Sequence, residues 1–343
     1  MLWLLVRSAP HTLPISRRVR FLSQIPYIFH VAADWAGKPF DDSEPSPPKK
    51  KFPSNSAIGS WRDKTVCSHI TSKLRSTGED FLFYTNARQN SGMFLGVADG
   101  VGSWSDRGID PSIFSQALMY YAHEHCQNGK AGEPTSGTSQ EKEMTPLECM
   151  QLAYDDVLAD DFVEAGSSTA CLVSLNASGI LQSSNLGDSG FCIIRSSSLF
   201  YNSPSQTHYF NCPRQLSKLM SPGGADKGVI KDFPSAAHNC SARLRDGDII
   251  ILYTDGLSDN VFPGKPAMLL GVLLNFWTAE IVKICTLARS DSSPEQTQAQ
   301  IIAQHLIHYA RLCMFSDRVS PFETEARRNR LFWRGGKVDE CVT

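Results

Sequence analysis

Carboxylates in this sequence recur at one kind of place, the turn beside an apolar run. Met93–Ala98 leads into Asp99-Gly100. Asp248–Thr254 leads into Asp255-Gly256, with Asp259 close behind. Leu186 is followed by Gly187-Asp188-Ser189-Gly190. Glu79-Asp80 precedes Phe81–Thr85, and Asp339 follows Gly335-Gly336. A single Asp-Gly after a strand is an ordinary turn. Five acidic turns on apolar strands, most without a basic neighbour, ask for more, because clustered carboxylates repel unless a cation neutralises them. Oxygen-only ligands point to Mg²⁺ or Mn²⁺ and away from zinc. Gly100 would let a backbone carbonyl approach such an ion. A carboxylate bridging two of these ions is an arrangement that activates water for in-line attack on phosphorus.

These turns need strands and helices to hold them. Phe81–Thr85 and Met93–Ala98 read as short strands around a turn containing Asn90 and Gly92. Asp110-Pro111 predicts a helix start, with Asp110 as N-cap and Pro111 in the first turn. Residues 127–143 are polar with three glycines and read as a loop. Thr145-Pro146-Leu147-Glu148 has the capping-box pattern and predicts a second helix to about Phe162. Thr169–Ser174, Ile180–Leu186, Gly190–Arg195 and Asp248–Thr254 are β-type runs. Residues 299–315 predict an amphipathic helix, and Val338–Thr343 a final strand. No internal repeat is visible. Strands and helices fall in separate clusters, which predicts an α+β fold, a β-sandwich of two antiparallel sheets flanked by helices.

The composition of the 343-residue chain, 41% hydrophobic and 20% charged, is that of a globular protein. A formal charge of −2 gives no bulk attraction to nucleic acid, so none is expected as a partner. No run approaches the roughly 20 apolar residues of a membrane span. The longest candidate, Ala267–Trp277, contains Asn275 and reads as a core helix. Ten cysteines show no C-x-x-C spacing, which argues against a zinc ribbon or a thioredoxin-type site. Those in apolar runs, Cys171, Cys192 and Cys285, read as buried thiols in a reducing compartment. His123 and His125 are two apart and so lie on different helix faces. Asp155, Asp156, Asp160, Asp161 and Glu164 read as a solvated helix face. No phosphate-cradling Gly-rich loop followed by Lys-Ser/Thr is present, which counts against an NTPase.

Residues 1–33 carry Arg7, Arg17, Arg18 and Arg20 and no acidic residue before Asp34. This Arg-rich, acid-free leader resembles a mitochondrial transit peptide. Residues 34–58, rich in Pro, Ser and Lys over 41–56, read as a disordered linker, with the folded domain over 59–343.

Six motifs occur in one order: GED at 78–80, LGVADGVGSW at 95–104, GSSTACLVS at 166–174, NLGDSG at 185–190, GDIIILYTDGLSDN at 247–260 and GGKVDE at 335–340. On these residues the chain resembles the metal-dependent Ser/Thr protein phosphatases of type 2C, the PPM family. DGVG and the following IDPSIFSQALM resemble the mitochondrial PTC-seven-like branch. The resemblance implies hydrolysis of phosphoserine and phosphothreonine in mitochondrial phosphoproteins by a metal-activated water. It implies two Mg²⁺ or Mn²⁺ ions, with a third, weaker one as an option. By motif position Asp99 would bridge both ions, and Gly100 would offer its carbonyl to one. Asp255 and Asp339 would bind the other, while Asp188 and Asp259 match the third site. Glu79 and Asp80 would hold metal-bound water or support the ligands. Arg75, four residues before Glu79, would clamp the phosphate, with Lys73 as a competitor. Residues 212–246 would form a flap beside the groove. Val101 replaces a histidine proposed as general acid in many relatives, Ser103 a glycine, and Ser258 an aromatic residue. The closing DECVT is shorter than the family's terminal strand, so Asp339 is expected on a frayed element. Two further readings remain: a catalytically weak phosphoprotein-binding scaffold of the same fold, and a small-molecule phosphohydrolase.

Overall fold

Ile249 to Tyr253 are apolar without a break, the pattern of a strand covered on both faces. A computed structural model places them so. Ile250 and Leu252 face the interior between two sheets, whereas Ile249, Ile251 and Tyr253 pack under a helix. The structure describes residues 2–7 (backbone only), 26–38, 50–67, 77–131, 143–220, 228–262 and 293–343.

In chain order the first strands are β1 (Leu2–Arg7), β2 (Ile28–Ala33) and β3 (Trp35–Ala36). Helix α1 (Ala57–Cys67), β4 (Phe81–Asn86) and β5 (Gly92–Ala98) follow. Two long helices come next, α2 (Pro111–Asn128) and α3 (Pro146–Ala159). A run of strands then continues through β6 (Gly166–Ser168), β7 (Ala170–Asn176), β8 (Ile180–Leu186), β9 (Gly190–Arg195) and β10 (Ser198–Asn202). The short strands β11 (Thr207–Tyr209), β12 (Cys212–Pro213) and β13 (Leu216–Lys218) lead to β14 (His238–Arg243) and β15 (Ile249–Tyr253). The chain closes with α4 (Asp255–Ser258), α5 (Pro294–Met314), α6 (Pro321–Arg328) and β16 (Cys341–Val342).

Two five-stranded sheets form the sandwich, in the orders β10-β9-β15-β1-β2 and β14-β8-β7-β5-β4. All their pairings are antiparallel. Period-two alternation assigns the faces. On β5, Leu95 and Val97 enter the inter-sheet core with Val173, Ile193 and Ile250. Phe94 and Ala98, on the other face, meet α2 and α3 through Phe114, Met119 and Tyr154. Helix α5 covers the outer face of the other sheet with Ile302, Ala303 and Leu306. This is the expected α+β sandwich with helices outside.

Local signals set most element ends. The Asp110 side chain accepts from the Ser112 N–H at 3.0 Å, and Pro111 opens α2. Thr145 and Glu148 form the full capping box of α3. Three boundaries differ from the sequence reading by three residues or more. α3 stops at Ala159, because Asp160 turns out of the helix and its carboxylate accepts from the Phe162 N–H. α5 begins at Pro294, where Ser293 supplies a cap that the apolar periodicity does not reveal. The final strand shrinks to Cys341–Val342.

The N-terminal boundaries also need correction. The leader was expected to reach residue 33 and the domain to start near 59. Instead Val31, Ala32, Ala33, Trp35 and Ala36 are buried in the cores, and β2 pairs with β1. Phe52 is buried too, stacked on Phe162 with ring centroids 4.5 Å apart. Proline and lysine content marked 41–56 as linker, but a single buried aromatic ring anchors its end. The expected core helix at 267–277, Arg75 and Lys73 lie outside the described residues. Among the described residues no helix is long and apolar enough to cross a membrane.

Candidate metal centre

The acidic turns converge because the strands that carry them end at one edge of the sandwich. Asp99 follows β5. Its N–H donates to the Thr169 hydroxyl at 3.0 Å. Its carbonyl accepts from the Thr169 N–H at 2.9 Å and from the Ser168 hydroxyl at 2.8 Å. Asp188 lies in the turn between β8 and β9, where Gly187 takes a positive φ of 107°. The Thr169 and Ser189 hydroxyls meet at 2.7 Å, so one threonine ties both turns together. Asp255 opens α4 directly after β15.

One carboxylate oxygen from each of Asp99, Asp188 and Asp255 lies within 4.8 Å of the others. Asp188 Oδ1 is buried and has no hydrogen-bond partner among the described residues. Burial, then the neighbouring carboxylates Asp255, Asp80 and Asp339, push Asp99 far above the usual carboxylate range. Burial, followed by Asp255 and Asp259, does the same to Asp188 against the pull of Lys337. Such crowding is unfavourable unless a cation enters. A hard divalent ion takes oxygen donors of this kind, so the residues present fit Mg²⁺ or Mn²⁺.

A second ring of charge surrounds this group. The Lys337 ammonium lies 2.5 Å from Asp255, 2.8 Å from Asp259 and 3.0 Å from Asp339. The Lys38 ammonium lies 2.9 Å from Asp339, 2.7 Å from Glu340 and 3.7 Å from Glu79. Burial alone would raise Asp339, but Lys337 and Lys38 outweigh it and hold the carboxyl at about 2. Asp259 is lifted by burial to about 7 despite Lys337. Glu340 is also lifted by burial to about 7, with Lys38 opposing.

The remaining expected residues fall as follows. The Gly100 N–H donates to the Glu79 carbonyl at 3.2 Å, and a Cβ on Gly100 would come within 2.7 Å of that oxygen. Glycine is therefore needed where these segments cross. Asp80 is 1% exposed and accepts from the Thr254 hydroxyl at 2.8 Å, which in turn accepts from the Val342 N–H at 3.2 Å. Asp80 thus links the end of β15 to the last residues of the chain. Asp339 is not on a frayed element. Cys341, Val342 and Thr343 are buried, and Thr343 exchanges two backbone hydrogen bonds with Asp34. Sequence reasoning missed Lys38 and Lys337. Lys337 stands inside GGKVDE, but attention to the carboxylates hid it, and Lys38 sat in a segment read as linker.

No family model matches the chain. The zebrafish (Danio rerio) protein phosphatase PTC7 homolog is 36% identical over 275 residues, 80% of this chain and 82% of that protein. The human PTC7 homolog is 36% identical over 266 residues, 77% of each chain. The chain belongs to the PTC7 family of protein phosphatases. Its fold also matches the solved photosystem II phosphatase PBCP, with a TM-score of 0.54 and 22% identity. That match covers 77% of this phosphatase and 89% of the other chain.

Beside the metal centre of this phosphatase opens a cavity of about 650 Å³. Asp188 and Asp259 line it, together with Tyr209, Phe210, Phe322 and Arg328. The last four belong to β11, the turn after it, and α6. No described lining residue comes from 212–246, the segment expected to flank the groove.

Proposed function

We propose that this phosphatase hydrolyses phosphoserine and phosphothreonine in proteins at a centre that holds two Mg²⁺ or Mn²⁺ ions. The observation that carries the reading is the Asp99–Asp188–Asp255 group with its bare, buried Asp188 oxygen. Asp99, Asp188 and Asp255 would hold the ions, with Asp339 beside Asp255 and the Gly100 carbonyl as a further oxygen donor. When bound, such ions supply Lewis acidity and lower the pKa of water enough for in-line attack on phosphorus. The chain's own part is to fix the ligands beforehand. Thr169 locks the Asp99 and Asp188 turns, and Thr254 holds Asp80 behind them. Val101 has no titratable side chain, so that position gives no proton to the leaving alkoxide. The acid-free, Arg-rich N-terminal segment supports mitochondrial matrix proteins as the substrates.

The test uses the full chain and a phosphothreonine peptide. Turnover is expected with Mn²⁺, loss with EDTA, and recovery when Mn²⁺ is returned. Asp99→Asn should lower turnover by about 10²–10³-fold. Turnover that survives the chelator, or an Asp99→Asn enzyme as fast as wild type, would reject the two-metal reading.

A further inference from the structure

Lys337 is built into the acidic centre and is not a surface lysine that happens to reach it. Its N–H donates to Asn260 Oδ1 at 2.9 Å, and its carbonyl accepts from Asn260 Nδ2 at 2.8 Å. Asn260 itself is 4% exposed and directly follows Asp259. The preceding turn is equally fixed. Gly335 takes a φ of +80°, its N–H donates to Glu323 at 2.8 Å, and its carbonyl accepts from the Ser320 hydroxyl at 2.7 Å. A Cβ on Gly336 would lie 2.3 Å from the Cys313 carbonyl, so the turn is pressed against the end of α5. From this anchored backbone the side chain crosses the Phe322 ring, 5.1 Å from ammonium to centroid. It ends among Asp255, Asp259 and Asp339.

Asp255 therefore faces two ways. It belongs to the three-aspartate group, and it also contacts the ammonium. Asp259 stands on the ammonium side. We propose that the Lys337 ammonium is a resident cation of the centre, occupying the outer position beside Asp259, so that the chain binds two divalent ions and excludes a third. The proposal rests on the two-metal reading above. The contacts agree with it: the ammonium lies within 3.0 Å of Asp255, Asp259 and Asp339, where a third divalent ion on Asp259 would have to sit. A tethered ammonium has another consequence. It neutralises part of the cluster before any ion arrives, and its removal would leave those carboxylates unpaired.

Mn²⁺ bound per chain is counted by electron paramagnetic resonance during titration of the full-length protein. Wild type should saturate at two ions. Lys337→Met keeps the length of the side chain and removes the charge. It should saturate at three, and its metal-free form should unfold several degrees below wild type. Asp259→Asn, made in the wild-type background, gives a second measurement should Lys337→Met fail to fold. It should leave the count at two and the affinity for both ions within about threefold, since Asp259 faces the ammonium and not an ion. Three ions in wild type would overturn the proposal and leave the two-metal reading standing. So would two in Lys337→Met, or a count lowered by Asp259→Asn. A wild-type chain that binds no Mn²⁺ would remove both.

Discussion

Gly256 shows how tightly single residues constrain this centre. A Cβ there would sit 1.7 Å from the Glu340 carbonyl oxygen. Neither backbone can yield cheaply, because α4 starts one residue earlier and Glu340 leads into β16. Gly256→Ala must push the last residues away from Asp255 and Asp80. Overpacking of this kind costs about 1–3 kcal/mol or more. The variant should melt below wild type, and amide exchange at Cys341 and Val342 should accelerate. Unchanged exchange there would mean that the contact is looser than the geometry indicates. Asp255-Gly256 was visible in the sequence as an acidic turn. The partner that makes glycine necessary was not, because 84 positions separate Gly256 from Glu340. Lys337 was hidden for the same reason. A motif names its residues, but only the fold says which of them turn inward.

At the scale of elements, α1, α2 and β4 meet around His123. Its ring lies 5.5 Å from the Trp61 ring and 6.2 Å from the Phe83 ring, centroid to centroid. Burial among these rings lowers its pKa below 6.5, against the pull of Glu124. The sign follows from linkage: the unfolded chain binds the proton more readily than the folded one. The stability involved is therefore full above pH 6.5 and is lost as pH falls through 6.5 toward the lower, folded value. His123→Leu should flatten the fall in stability between pH 7.5 and 5.5, measured by urea unfolding at each pH. An equally steep fall in the variant would assign the acid sensitivity to other groups. These elements were largely legible beforehand. β8 and β9 match the sequence reading residue for residue, and Asp110 and Thr145 cap the helices as their types predict. Short-range chemistry decides those features. The expected solvated face of α3 is less free than it reads, since His125 lies 2.6 Å from Asp156 and Tyr121 donates to Asp160.

The whole molecule depends on chain segments far from the motifs. β2 and β3 supply Val31, Ala33 and Trp35 to the inter-sheet core, and Ala32 and Ala36 to the core under α5. Asp34 pairs with Thr343, and the Gln296 and Gln300 side chains donate to the Val31 and Ala33 carbonyls. Composition could not reveal this, because a short apolar stretch beside an Arg-rich, acid-free segment reads as part of that segment. A protein cut after residue 33 would lose β2 entirely, together with β1. Each large buried side chain contributes about 1.5–3 kcal/mol, against a total stability of about 5–15 kcal/mol. Loss of Val31, Ala32 and Ala33 from the two cores, with the backbone pairing of β1 and β2, should therefore take away a large part of that total and lower the unfolding midpoint strongly. A chain starting at residue 26 keeps β2 but gives up β1, which lies between β2 and β15. It should still fold, with lower stability and a greater tendency to associate through the two exposed strand edges. Thermal unfolding and light scattering of the full chain and of the chains starting at 26 and 34 test this order. If the chain starting at 34 unfolds at the same midpoint as the full one, β2 is dispensable and a leader reaching residue 33 is compatible with the fold. If it does not, the fold needs β2, just ahead of which the Tyr27 hydroxyl donates to the Leu244 carbonyl.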